Sequence, residues 1–421
     1  MHMSTRAPTR PPQRDLPLGL YRLVDPVALA NPYALYQRLR TEEPVCWDAF
    51  LKAWVVTRYD DVVVVLSDQR FSAVRTPSPQ DLADLGLGKL SPIAEVLVRQ
   101  MLFMDASAHT RIRSLAAKAF TPRRVEQLRP HIQQIVDQLL STVEPSGRMD
   151  VVADLAGPLP QIVTAELLGL PRSDCPLLKA WSADFAQVLG NFQHNPDGSA
   201  RVLRSIEDMT RYFAARVQER RVSPADGLID ALMSAEVQGE RLTDQEVIAN
   251  AIMMMVGGQE TTTSLIGNGT MILLERPELL EQLRGDPSLL PAAIEEFLRY
   301  ESPIQHTARM AAEDLELGGK QIRRRQAVIA VLGAANRDPA QFPDPDRVDI
   351  RRPENRHLAF GWAAHFCFGA PLARVEAQVA FATMLRRLPS LRLATDRLAW
   401  QGNLAYRGLT ALPVAFEPAA G

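Results

Sequence analysis

Cysteine is scarce in this chain of 421 residues: Cys46, Cys175 and Cys367 are the only three. They are too few and too scattered for a disulfide framework, and no Cys-x-x-Cys pair points to zinc or thiol exchange, so a reducing cytoplasm is expected. A basic excess is missing as well. The 47 Lys and Arg against 49 Asp and Glu leave a net charge of −2, which argues against a nucleic-acid partner. Long apolar runs are also missing. The longest helix-compatible stretch without a charge, Val247 to Gln259, is shorter than the roughly 18 apolar residues a membrane-spanning helix needs. The Pro/Arg-rich start from Met1 to Leu20 has no apolar core of the kind a signal peptide or membrane anchor carries. No internal repeat, low-complexity tract or long linker divides the rest, so residues 21–421 are expected to form one domain behind a flexible N-terminus of residues 1–20. No Gly-x-Gly-x-x-Gly follows a strand, which removes a built-in dinucleotide site.

What is present is mostly helical periodicity. Residues 32–40, 92–101, 110–119, 124–143, 201–220 and 371–388 repeat apolar positions at helical spacing. Strand candidates are short, at 53–57 and 327–332. The segment from about Asp244 to Arg276 reads as one long helix. Thr243 with Glu246 makes a capping box at its start, and Pro277 stops it. About 33 residues at 1.5 Å each span roughly 50 Å, enough to run through the core of a domain. Its centre, Met253-Met254-Met255-Val256-Gly257-Gly258-Gln259-Glu260-Thr261-Thr262, interrupts an apolar run with two glycines and a polar cluster. Each glycine costs about 1 kcal/mol relative to alanine in a helix interior. Either another helix packs closely there, or bare backbone lets a ligand approach with an acid and a hydroxyl beside it.

A second segment carries chemistry more directly. Phe360-Gly361-Trp362-Ala363-Ala364-His365-Phe366-Cys367-Phe368-Gly369-Ala370-Pro371 is an apolar, aromatic loop around a single cysteine, and it feeds into a helix that starts near Pro371. A cysteine just before a helix N-terminus has backbone N–H groups and a positive dipole end directed at its sulfur, which favours the thiolate that ligates iron. A lone cysteine is otherwise a small buried hydrophobe.

This loop resembles the haem-ligand loop of the cytochrome P450 family. Phe360, Gly361, Cys367 and Gly369 match the family's pattern, and His365 stands where the family carries Arg or His against a haem propionate. Ala363 departs from it, because the family usually has glycine there. Glu296-Phe297-Leu298-Arg299 fits the family's buried Glu-x-x-Arg pair. Glu126 with Arg129 and Glu281 with Arg284 share that spacing, and only its position between the long helix and the cysteine loop singles out Glu296. His109 and Arg113, four apart and so on one helix face, and Arg309 on a later strand correspond to further propionate contacts. Asn336-Arg337-Asp338-Pro339, Phe342 and Asp344-Pro345-Asp346 match the family's meander, and the resemblance runs from about Pro32 to Phe416.

The resemblance implies a cytochrome P450 fold, mainly α with small β-sheets, with haem b between the long central helix and the cysteine loop and Cys367 as its axial metal ligand. A thiolate ligand directs bound O2 towards O–O cleavage. It further implies proton delivery by an acid–alcohol pair, Glu260 and Thr261, with Gly257 where the family widens the central helix to admit O2. The activity implied is a haem-thiolate monooxygenase that oxidises a hydrophobic small molecule. The members most alike act on polyketides, macrolides and fatty acyl chains. With no flavin or ferredoxin segment in the chain, electrons from NAD(P)H are expected through a separate ferredoxin and ferredoxin reductase. The substrate pocket is expected from residues 71–100, 181–193, 253–257, 304–307 and 404–406. Two other readings stay open: a peroxide-driven peroxygenase, against which the acid–alcohol pair argues, and a haem-binding sensor without turnover, which needs no proton relay.

Overall fold

The computed structural model describes residues 18–84, 86–190 and 196–418. Most of the Pro/Arg-rich start, residues 1–17, and the end of the expected pocket segment, residues 191–193, lie outside the described residues. The long helix is Asp244–Leu274. Its capping box is formed: the Thr243 hydroxyl accepts the Glu246 N–H at 3.2 Å, and the Glu246 carboxylate accepts the Thr243 N–H at 2.9 Å. It ends before Arg276, which already caps the next helix, Pro277–Gly285. The long helix is buried around most of its circumference, packed against Pro158–Leu168, Cys175–Gly190, Pro196–Val222 and Ala370–Arg387, as an apolar helix with few charges must be. Among the described residues no helix is long and apolar enough to cross a membrane.

Two segments differ from their local patterns. Residues 124–143 form two helices, Pro122–Gln127 and Arg129–Val143, separated at Leu128. Pro130 has no N–H to continue the first helix and instead sits in the first turn of the second. Tyr59–Ser67 contains four consecutive valines, a composition that favours strand, yet it is helical. Asp60 and Asp61 suit its N-terminal dipole, and Val62, Val65 and Leu66 face the core together.

The largest sheet has five strands in the order Val45–Asp48, Ala53–Val56, Ala327–Ala330, Thr307–Ala311, Phe71–Ser72. The two strands expected from sequence, Ala53–Val56 and Ala327–Ala330, lie side by side and parallel. Beside them Thr307–Ala311 runs antiparallel and places Arg309 opposite Val328 on a buried face.

Between the short helix Leu332–Ala335 and the helix Ala370–Arg387 the chain has only one helical turn, Ala363–His365. So long an irregular segment must find its hydrogen bonds elsewhere. Arg299, on the helix Leu290–Tyr300, provides many of them. Its guanidinium pairs with Glu296 at 2.8 Å and donates to the carbonyls of Asn336, Pro345 and Arg347 at 2.9, 2.8 and 3.1 Å. Glu296 accepts in turn from the Asp349 N–H and the side chains of Arg352 and Asn355. Both side chains are fully buried, whereas Glu126–Arg129 and Glu281–Arg284, with the same spacing, lie at the surface.

Candidate active site

A cavity of about 680 Å³ lies between the long helix and the segment Ala359–Gly369. One wall is the long helix, which presents Met253, Met254, Gly257, Thr261 and Thr262. The opposite wall is the cysteine loop and the start of the helix behind it. The rim carries cations. His109, Arg113, Gly257, Thr261, Arg309, Phe360, His365, Cys367 and Gly369, each singled out from sequence, all line this one cavity. Glu260 does not.

The two adjacent glycines divide the two readings between them. A Cβ on Gly257 would meet nothing within 4 Å, so its bare backbone opens onto the cavity, while a Cβ on Gly258 would lie 2.8 Å from Thr164 Oγ1. Gly257 thus leaves room for a ligand, and Gly258 admits the neighbouring helix. Thr261 donates its hydroxyl to the Gly257 carbonyl at 2.7 Å, which leaves its oxygen lone pairs as acceptors towards the cavity. Glu260 stands outside the cavity lining. Burial pushes its carboxyl up, partly offset by Lys179, and it also acts on the phenol of Tyr406, which does line the cavity. Thr262, one residue further on, also reaches the cavity wall, although a turn of 100° between neighbours would place it on another face. The cavity is wide enough to wrap part-way round the helix.

The cysteine loop is held by its own backbone. The Cys367 N–H donates to the Phe360 carbonyl at 2.7 Å, and Gly361 N–H to Leu358 at 2.8 Å. Gly361 and Ala363 both adopt left-handed conformations, with φ of 72° and 54°. The family's usual glycine at position 363 therefore has a backbone reason, and alanine there is strained by about 1 kcal/mol. Behind the loop begins the 18-residue helix Ala370–Arg387. Burial pushes the Cys367 thiol up, while the N–H groups of Gly369 and Ala370, then Arg113 and Arg374, pull it down. Burial wins, so the thiolate expected from the helix start needs a bound cation to hold it.

The cationic rim is unusual in having so few acids. Arg113 donates to the Phe366 carbonyl at 2.8 Å, and Arg309 to its neighbour Ala308 at 2.9 Å. Neither has a carboxylate partner among the described residues. Burial pushes Arg309 down to about 10 despite Asp105. The rings of His109 and His365 lie 4.2 Å apart. Burial, then Arg113, lowers His109. Burial, Arg309, His109 and Arg75 push His365 down to about 3, despite Asp105. Both imidazoles are therefore neutral hydrogen-bonding groups at neutral pH.

Three charged residues at or beside the cavity were not singled out by the sequence reading. Arg75 stands on the same rim, its guanidinium 4.4 Å from the centre of the Phe103 ring. Arg374 stacks over Phe360 and pairs with Glu295 at 2.7 Å, tying the Glu-x-x-Arg helix to the cysteine loop. Glu376 lines the cavity with one carboxyl oxygen unpartnered among the described residues, and burial pushes its carboxyl well up. Arg75 falls within the segment 71–100 expected to line the pocket, but none of the three had a spacing or motif that named it individually. One expectation is corrected: Trp181 and the following described side chains do not reach the cavity. Trp181 packs edge-on against Tyr212, and Thr164, Leu167 and Leu168 from the adjoining helix form that wall instead.

Comparison with known proteins agrees over most of the chain. Residues 177–391 match the family described as Cytochrome P450. The chain is 37% identical over 397 residues to the polyketide biosynthesis cytochrome P450 PksS of Bacillus subtilis, covering 92% of this chain and 96% of that one. It is 40% identical over 397 residues to the cytochrome P450 monooxygenase PikC of Streptomyces venezuelae, covering 92% of each. Among solved structures, P450BioI in complex with an acyl carrier protein ligated with hexadec-9Z-enoic acid matches with a TM-score of 0.88 at 39% identity, over 93% of this chain and 99% of that one.

Proposed function

The chain belongs to the cytochrome P450 family and is a P450 monooxygenase, and from that premise we propose that Cys367 ligates haem in the cavity and that the chain oxidises a fatty acyl or polyketide substrate held against Gly257 and Thr261. The observation that carries this reading is the cationic rim. Arg113 and Arg309 are desolvated beside the cavity with no carboxylate partner among the described residues, a costly arrangement that the two carboxylates of haem would relieve. The other residues fit the group as well: an apolar slot between Gly257 and the cysteine loop, and a sulfur that receives two backbone N–H groups.

Haem bound through a thiolate supplies the activation of dioxygen and the transfer of one oxygen atom to a substrate carbon. The chain's own residues do the rest. Gly369 and Ala370 N–H groups, with Arg113 and Arg374, stabilise negative charge on Cys367 Sγ. His109 and His365, neutral, donate hydrogen bonds at the rim. Thr261 Oγ1, its own proton committed to the Gly257 carbonyl, accepts a hydrogen bond from a water or other donor in the cavity and so orients a proton there. Glu260, raised by burial and next to the exposed Lys179, retains a proton more readily than an ordinary glutamate and supplies it from outside the cavity. Transfer between the two requires a water or a rotation of Glu260. Met101, Met253 and Met254 with Leu97 and Leu102 give a flexible apolar wall suited to a long or bulky hydrophobic substrate. Electrons come from NAD(P)H through a ferredoxin and its reductase, in a reducing cytoplasm that suits three free cysteines.

The test is turnover of the haem-loaded protein with a ferredoxin, a reductase and NAD(P)H, on free fatty acids, carrier-bound acyl chains and macrolides, after a screen for the spin-state change on binding. Product formation coupled to reductant is expected. Turnover with peroxide alone would replace the monooxygenase cycle by a peroxygenase. For the ligand, the reduced protein with carbon monoxide should show the family's red-shifted Soret band. Cys367→His should abolish it, while Cys46→Ser and Cys175→Ser leave it intact.

A further inference from the structure

We infer that Arg75 is a third arginine anchor for the carboxylates of haem, an inference that rests on the haem site proposed above. Arg75 lines the same cavity as Arg113, Arg309, His109 and His365. It acts electrostatically on both Arg309 and His365, so it belongs to the rim and not to the substrate end of the cavity. Its Nη1 donates to the carbonyls of Ala73 and Leu102 at 3.2 and 3.4 Å, which fixes the guanidinium against the Phe103 ring. Nε and Nη2 have no hydrogen bond among the described residues. A guanidinium has five N–H donors in a planar fork that matches a carboxylate, and here the fork is held in place with its carboxylate-binding edge unused.

Arg75 is half-buried, and the three arginines buried away from this cavity among the described residues all have carboxylate partners. Arg299 pairs with Glu296, and Arg337 and Arg407 both pair with Glu301. Arg75 has no ion pair among the described residues. Charge counting favours haem over an anionic substrate as the missing partner. Among the described residues Asp105 is the one acid acting on this rim, through Arg309 and the two histidines. Three guanidinium charges and the single positive charge of ferric porphyrin are met by Asp105, the Cys367 thiolate and two haem carboxylates. The count closes at zero with Arg75 included. Without Arg75 the site would carry a net negative charge, and with an anionic substrate in addition it would do so again.

The test is the rate at which haem passes from the protein to an excess of apomyoglobin, measured with protohaem and with protohaem dimethyl ester. Arg75→Met keeps an apolar side chain against Phe103 while removing the fork, and Arg75→Lys keeps the charge. Loss of a charged hydrogen bond should release protohaem roughly 10- to 100-fold faster in Arg75→Met, with Arg75→Lys between it and the parent. With the dimethyl ester, Arg75→Met and parent should release at equal rates. Equal acceleration with both porphyrins would make Arg75 a packing residue and overturn the inference. So would unchanged protohaem release with weakened binding of fatty acids, which would assign Arg75 to substrate. Arg309→Met separates this failure from that of the site. If Arg309→Met speeds protohaem release and Arg75→Met does not, the haem site stands and the role of Arg75 falls. If neither does, the proposed site falls with it.

Discussion

Two sets of buried charges in this protein are built on opposite principles. Around Glu296 and Arg299 every strong donor meets an acceptor: two side chains, three backbone carbonyls and one backbone N–H close the set, together with Arg352 and Asn355. Around the cavity, Arg75, Arg113 and Arg309 hold backbone carbonyls with part of each guanidinium and leave the rest facing the cavity. Both sets are desolvated, so burial alone does not distinguish them. Completeness does. A closed set holds two parts of the chain together and needs nothing further. An open set remains costly until something outside the chain completes it.

That contrast can be broken by mutation. Arg299→Ala or Glu296→Ala leaves an uncompensated buried charge and should destabilise the fold by about 3–5 kcal/mol, measured as loss of soluble protein and a lower thermal midpoint whether or not haem is added. If instead either variant lost only haem and kept the midpoint of the haem-free parent, the closed set would not be structural. Arg309→Ala and Arg113→Ala should do the reverse. The haem-free protein should be as stable as the parent or more so, because a buried cation is gone, while haem affinity falls by about 2–5 kcal/mol. Arg123→Ala and Arg124→Ala serve as controls, and equal haem occupancy in all four variants would remove the distinction.

Thr261 sharpens the same contrast on a smaller scale, since its donor is committed to Gly257 and its acceptor side is open. Losing the committed bond in Thr261→Ala should cost about 1 kcal/mol. Losing the open side should leave substrate binding and reductant use intact yet divert oxygen to peroxide, because roughly 100-fold of acid assistance is missing. Product per electron pair and peroxide released are the quantities to measure. Thr261→Ser should keep coupling, and a fully coupled Thr261→Ala would refute the proton role. Thr262→Ala belongs in the same assay, because Thr262 also reaches the cavity. The smallest effect is expected at Ala363, where φ is 54°. Ala363→Gly should relieve local strain and stabilise the protein by about 1 kcal/mol at most, partly offset by the greater freedom of glycine in the unfolded chain. A thermal midpoint lowered by this change would show that the strain at this residue is smaller than the entropy glycine adds to the unfolded chain.

Much of the site was legible because its signals are local. The capping box at Thr243 and Glu246, the glycine pair in the long helix and the cysteine ahead of a helix start are each carried by residues within one or two turns of each other. The parallel pairing of Ala53–Val56 with Ala327–Ala330 was not legible, although both strands were, because no local signal specifies a partner so far along the chain. Trp181 illustrates the limit from the other side: the resemblance to the family marked its segment as pocket-lining, but packing within the helix Cys175–Gly190 turns its side chain towards Tyr212.

The sequence by itself determined where the long helix begins and where the cysteine loop lies, since backbone capping and turn conformation are set by adjacent residues, whereas His109, Arg113 and Arg309 were singled out only through the resemblance to the family. Tertiary structure alone decided which of three Glu-x-x-Arg pairs is buried, which of two cavity-lining glycines has a neighbouring helix packed against it, that Glu260 stands outside the cavity lining, and that Arg75 joins its rim. Those outcomes depend on desolvation and close approach, and both are imposed by residues distant in the chain that only the folded core brings within reach.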